Sequence, residues 1–326
     1  MDVTFVTIVE SSPRGQRQLT DLALALRTFG GALADAPLVA FVTGRNIASV
    51  DVALGPIELR PLPPPDPAHP RLRRLDAVAS LAESAGTLVL LEADALVVGD
   101  LTAHVGNTVA AVHKDDRPMP DIDWRRLYWT FGVRPPDPGP ISVMNGLPSR
   151  PLLDTGVLVL PPSRRDALVA SWTAIATELV RLSNRYALDF LAPPRWFDRF
   201  ALMIALYRDD VRFEYLPLGC DFELSFDYHP SVLPSADDLR VIRYGPHMDD
   251  RGAVLSSRLY PWVDPVIDRF DRVLAEYLGH RYRRPPRRAI GSELRGAIGA
   301  SALYRSTAGQ RVRAAVRNVR SRGSRG

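Results

Sequence analysis

Two carboxylates two positions apart, Glu92 and Asp94, interrupt an apolar run in LVLLEADALVVGDL, residues 88 to 101. Acids placed between Leu88–Leu91 and Ala95–Val98 cost free energy unless a cation or hydrogen-bond donors compensate them. In an extended segment residues i and i+2 point to the same side, so both carboxylates are expected to face one way. Like charges that close repel unless a cation lies between them or one is protonated. Mn²⁺ or Mg²⁺ suits the pair, because these hard ions take oxygen ligands and let phosphates complete the shell. A strand-end turn with two solvated acids is the alternative that the tripeptide leaves open.

The elements that must position this pair alternate strand and helix. Val3–Val9, which carries Thr7, is β-branched and aromatic and predicts a buried strand. The polar stretch Glu10–Gly15 predicts a turn. Leu19, Leu22, Ala23, Leu26 and Phe29 then recur at helical spacing, and Gly30-Gly31 stops the helix. Leu38–Val42 and Ile57–Leu59 read as strands. Pro61–Pro70 holds six prolines in ten residues and must be loop. A helix over Leu72–Ala82 delivers the chain into Leu88. Such alternation implies an α/β fold with a mainly parallel sheet, whose ligands lie beyond the carboxyl ends of the strands. Glu92 and Asp94 fall at that end.

Four segments, in order, carry a resemblance: RLRRLDAVASL (71 to 81), LVLLEADALVVGDL, PLLDTGVLVLP (151 to 161), and WFDRFALMIAL followed by FEYLPLGCDF (196 to 206, 213 to 222). Together they resemble the arginine-bearing helix, the aspartate-x-aspartate strand, the Asn-x-Gly strand and the Asp-Gln helix of nucleotide-sugar glycosyltransferases with the GT-A fold. The likeness is to the family-8, glycogenin-like and lipopolysaccharide-galactosyltransferase-like group, and covers about residues 3 to 250. It implies a Rossmann-like, mainly parallel mixed sheet flanked by helices. It also implies metal-assisted transfer of a sugar from a nucleotide-diphosphate donor to an acceptor, with family precedent for retention of configuration. Carried over residue by residue, it makes Thr7, Arg74, Glu92, Asp94 and Gly156 donor-binding candidates. Glu92, Asp94 and His247 become ligands of Mn²⁺ or Mg²⁺, and Asp198, Arg199 and Asp154 the catalytic candidates. Departures are visible: Glu92 replaces aspartate, Asp154 asparagine and Arg199 glutamine. The late His-x-x-Gly-x-x-Lys-Pro-Trp signature is absent, with VIRYGPHMDD (241 to 250) its nearest counterpart.

Several residues keep two readings. Arg71, Arg73 and Arg74 suit bidentate phosphate contacts or are surface charges, with Arg74 best placed. Asp154-Thr155-Gly156 reads as a turn opening a strand, where glycine lets a ligand approach, or as a plain turn. Asp198 begins a helix over Phe197–Tyr207, where an acid also favours the helix dipole. Trp124, Tyr128, Trp129 and Phe131 suit an acceptor pocket or a core under a proline-rich loop. Cys220, the lone cysteine, excludes an intrachain disulfide and reads as packing.

Charge divides the chain of 326 residues. Residues 281 to 326 carry thirteen arginines and one acid, while the rest carries 28 bases against 36 acids. Lys114 is the only lysine among 41 basic residues, which reads as compositional bias. The expected organisation is a catalytic domain over 1–279, with a nucleotide-binding half 1–101 and an acceptor half 102–279, then an arginine-rich tail 280–326. In that tail Ile290, Leu294, Ile298 and Ala302 recur every fourth residue, and Val312, Val316 and Val319 continue the face. The tail is expected to be helical or disordered, and fits an anionic membrane surface or mere solubilisation. The start lacks a leader pattern and no run is long enough to span a membrane, so a cytoplasmic protein, peripheral through its tail, is expected. The acidic body argues against dedicated nucleic-acid binding. Rival readings are a catalytically inactive nucleotide-sugar-binding or membrane-surface scaffold and a sugar-1-phosphate nucleotidyltransferase. The latter fits less well, because Ser11–Gly15 lacks a glycine-rich phosphate cradle.

Overall fold

A computed structural model describes residues 2–44, 54–62, 73–81, 84, 86–115, 119–186, 197–248, 254–257 and 259–279, all within the unit Met1–Tyr282. Arg71, most of the proline-rich loop and the 280–326 tail with its expected membrane face lie outside the described residues.

β1 (Val3–Glu10) pairs in parallel with β2 (Leu38–Thr43) on one side and β4 (Thr87–Leu91) on the other. β3 (Ile57–Pro61) extends the sheet beyond β2. Past β4 come β7 (Leu153–Leu160), β6 (Val109–His113) and β8 (Phe213–Leu216), giving the order β3-β2-β1-β4-β7-β6-β8. β7 is antiparallel to both its neighbours, with Leu91 opposite Val157, so it alone runs against the sheet. That reversal matters for the site. The start of β7 lies at the same edge as the carboxyl ends of β4 and β6. A second sheet of β5 (Ala95–Val97), β10 (Val241–Arg243) and β9 (Phe222–Glu223) stands beside this edge.

Strand alternation splits the core into two layers. Phe5, Val89 and Leu91 face α1 (Pro13–Phe29), α6 (Asp264–Leu278) and the small sheet. Val6, Leu88 and Leu90 face α2 (Arg73–Ala79), α3 (Asp121–Thr130), α4 (Arg165–Tyr186) and α5 (Phe197–Arg208). The result is the mainly parallel mixed sheet flanked by helices that the alternation predicts.

The polar stretch Glu10–Gly15 is shorter as a turn than expected. Ser12 caps α1 by accepting from the Gly15 N–H at 3.0 Å, and Pro13 at the first helical position fixes the entry. Trp124 and Tyr128 are core, not pocket: both are buried on α3 against Phe200 and Tyr207, whereas Trp129 is exposed. Cys220 is buried, and burial pushes its thiol up to about 12, in keeping with packing. Among the described residues no helix is long and apolar enough to cross a membrane.

Candidate active site

The acid-x-acid segment leaves the end of β4 in a turn. The Ala95 N–H donates to the Glu92 carbonyl at 3.1 Å, so residues 92 to 94 form a turn and not the extended segment expected from strand geometry. The two carboxylates still feel each other and the charge of Arg243. Glu92 goes to Arg74 at the start of α2, whose guanidinium also donates to the Thr155 hydroxyl. Asp94 faces Arg243 instead, Oδ1 to Nε at 3.5 Å.

Asp154, Thr155 and Gly156 form no turn. They lie within β7, and the reversed direction of that strand brings its first residues beside Glu92, whose N–H donates to the Gly156 carbonyl at 3.0 Å. Thr155 Oγ1 donates to Asp198 Oδ2 at 2.9 Å, and Arg74 approaches the same oxygen at 3.4 Å. Asp198 opens α5, where its carbonyl accepts from Trp172 Nε1 at 2.7 Å and so anchors that helix end to α4. Asp154 is enclosed by three cations: Arg199 Nη2 at 2.8 Å, Lys114 Nζ at 3.1 Å and Arg243 Nη1 at 3.5 Å.

Four of the residues here escaped the sequence reading. Lys114, just past β6, is fully buried and also pairs with Glu223 Oε2 at 2.7 Å, its ammonium lying over the rings of Phe226 and Tyr228. Arg243 ends the central strand of the small sheet, in register with Ala95 on β5 and Glu223 on β9. Asp221 precedes β9. A Cβ on Gly156 would meet Arg243 Nη1 at 2.5 Å and Asp221 Oδ2 at 2.7 Å, so only glycine lets β7 pass this close. One signal for Lys114 was available: a solitary lysine among arginines marks a place that wants a compact ammonium, not a planar fork.

The cluster thus holds Arg74, Lys114, Arg199 and Arg243 against Glu92, Asp94, Asp154, Asp198, Asp221 and Glu223. Burial opposes ionisation of Glu92, Asp94, Asp154, Asp221 and Glu223, and the neighbours decide the outcome. Arg74 and Arg243 hold Glu92 below the ordinary range. Arg199, Lys114 and Arg243 hold Asp154 well below it. Lys114 and Arg243 bring Glu223 down to about 2. Burial prevails at Asp94, which is raised despite Arg243. Burial together with the Asp154 charge pushes Asp221 up to about 7. Both oxygens of Asp221 find no hydrogen-bond donor among the described residues.

The remaining sequence candidates fall at different distances from this chemistry. Thr7 is buried on β1, its hydroxyl without a hydrogen-bond partner among the described residues. His247 is buried past β10, its N–H donating to the Tyr244 carbonyl at 2.7 Å, and burial lowers its imidazole. Among the described residues no three His, Cys, Asp or Glu side chains are grouped so as to hold a metal ion. Glu92, Asp94 and His247 therefore do not fit the ligand set read from the sequence, because a guanidinium engages each of the two acids.

No family model matches the sequence, and no curated protein matches it. Among solved structures the chain is similar to the galactosyltransferase LgtC in complex with donor and acceptor sugar analogs. The similarity covers 84% of this chain and 95% of that one, at 14% identity and a TM-score of 0.47.

Proposed function

We propose that the chain is a GT-A-type glycosyltransferase that moves a sugar from a nucleotide-diphosphate donor to an acceptor. The observation that supports this reading is convergence. The guanidinium of Arg74, from the first of the four collinear segments, reaches Glu92 of the second, Thr155 of the third and Asp198 of the fourth. Segments far apart in the chain that share the resemblance meet at one side chain, at the sheet edge where ligands of α/β proteins bind.

As the bond between sugar and phosphate breaks, negative charge grows on the leaving diphosphate. Arg74 and Arg199, both partly open to solvent, would face the phosphate oxygens while their carboxylates keep them in place, and fixed cations favour that charge more in the transition state than before it. Asp198 keeps lone pairs free to accept from sugar hydroxyls. Asp154, enclosed by cations, holds Arg199 and Lys114 in place in this reading. Residues 1–101 supply the nucleotide half and 102–279 the acceptor half, with retention of configuration as the family precedent. The 280–326 tail would hold the protein at an anionic, cytoplasm-facing membrane surface, near lipid-linked acceptors.

A second reading, a non-catalytic nucleotide-sugar-binding protein, is favoured by the ion pairs that already engage Glu92 and Asp94. Nucleotide release across a panel of nucleotide sugars separates the two. Asp198→Asn should reduce turnover roughly tenfold or more while nucleotide-diphosphate affinity stays within about threefold, because that side chain faces the sugar. A wild type that binds a donor and releases nothing from any of them supports the non-catalytic reading.

A further inference from the structure

We infer that Arg243 occupies the cation seat of this carboxylate cluster, in place of the divalent ion that the sequence leads one to expect. The inference takes from the proposed glycosyl transfer only that expectation; its grounds are the chain's own ion pairs. Arg243 Nε faces Asp94 Oδ1 at 3.5 Å. Its Nη1 faces Asp154 Oδ2 at 3.5 Å, Asp221 Oδ1 at 3.7 Å and Glu223 Oε2 at 3.9 Å. Among the described residues Arg243 thus stands within ion-pair distance of four carboxylates.

Two features fix it there. The register of the small sheet puts Arg243 between Ala95, next to Asp94, and Glu223. Asp221 is fully buried, and neither of its oxygens has a hydrogen-bond donor among the described residues, so Arg243 and Lys114 are the charges that make its burial tolerable. A divalent ion arriving at Asp94 would meet a guanidinium already in contact with that carboxylate. Metal and Arg243 are therefore competitors for Asp94, and the arginine, being covalently tethered, is always present. His247, which would have been the third ligand, offers no help, since it is not grouped with the acids.

The test is Mn²⁺ binding in the absence of nucleotide, read by electron paramagnetic resonance and by the thermal midpoint. Wild type should bind Mn²⁺ no tighter than about millimolar, with an unchanged midpoint. Arg243→Gln should bind Mn²⁺ roughly tenfold tighter or more, with a midpoint that rises on adding the ion, and Asp94→Asn in that background should abolish both gains. Arg243→Lys retains the charge and should gain nothing. A wild-type site in the micromolar range that Asp94→Asn removes would overturn the inference, as would equal affinities in wild type and Arg243→Gln. If Arg243→Gln folds poorly, Arg243→Met, which removes the charge but keeps the apolar bulk, takes its place in the same titration. None of these measurements uses a donor, so failure of sugar transfer and failure of this inference remain separate results.

Discussion

At the scale of single residues, the site is a set of charges whose protonation is settled by burial against neighbours. The Asp221 carboxyl is pushed from 3.8 to about 7 by burial and then by Asp154. Between those values the folded protein holds a proton that the unfolded chain has released. Stability from this group therefore falls as pH rises through about 4 to 7 and stays lost above. Glu223 has the opposite sign. Lys114 and Arg243 hold it down to about 2, so its contribution is present above about 4.5 and is lost as pH falls towards 2. Asp221→Asn removes the first titration and should flatten the decline of the thermal midpoint between pH 5 and 8 relative to wild type. Parallel midpoint curves for the two proteins would show that Asp221 ionises normally.

At the scale of elements, the reversed strand β7 is what assembles the cluster. A parallel β7 would have carried Asp154 and Thr155 to the opposite edge, away from Arg74 and Lys114. Its close approach to the Arg243 and Asp221 side chains depends on Gly156, where an added Cβ would meet both, and the ion pair between them keeps them from swinging away cheaply. Gly156→Ala should cost about 1–3 kcal/mol in denaturant unfolding. It should also shift the Asp221 titration, because the methyl group separates Arg243 from that carboxylate. An alanine variant as stable as wild type, with the same pH profile, would mean that Arg243 and Asp221 do not crowd Gly156.

At the scale of the whole molecule, the body and the tail have opposite charge, and the proposal gives them separate work. A chain ending at Gly279 should keep its thermal midpoint and lose co-sedimentation with anionic vesicles, and the loss should be mimicked in the full chain by raising the salt. Equal sedimentation with and without residues 280–326 would remove the membrane from the proposal. A lower midpoint would show that the tail stabilises the body.

Much of the architecture was legible in the sequence for a physical reason: burial imposes periodicity. The helix over Leu19 to Phe29 announces itself because its buried face repeats about every 3.6 residues, and the strands at Val3, Leu38 and Leu88 because a central strand buried on both faces is a short continuous apolar run. Candidates named by resemblance also lie together: the donor-binding candidates Arg74 and Glu92 meet the catalytic candidate Asp198, with Thr155 between them. Which charge answers which was not legible. Lys114 meets Glu223 across 109 residues, and Arg74 meets Asp198 across 124. An ion pair leaves no periodic trace along the chain, and strand direction and register, not spacing, bring its partners within reach. So the sequence by itself determined the strand that Glu92 and Asp94 follow and the helices that carry Arg74 and Asp198. The direction of β7 and the register of β10 decided that those acids would be met by Arg74 and Arg243, because only the folded sheet fixes which side chains share a dry edge.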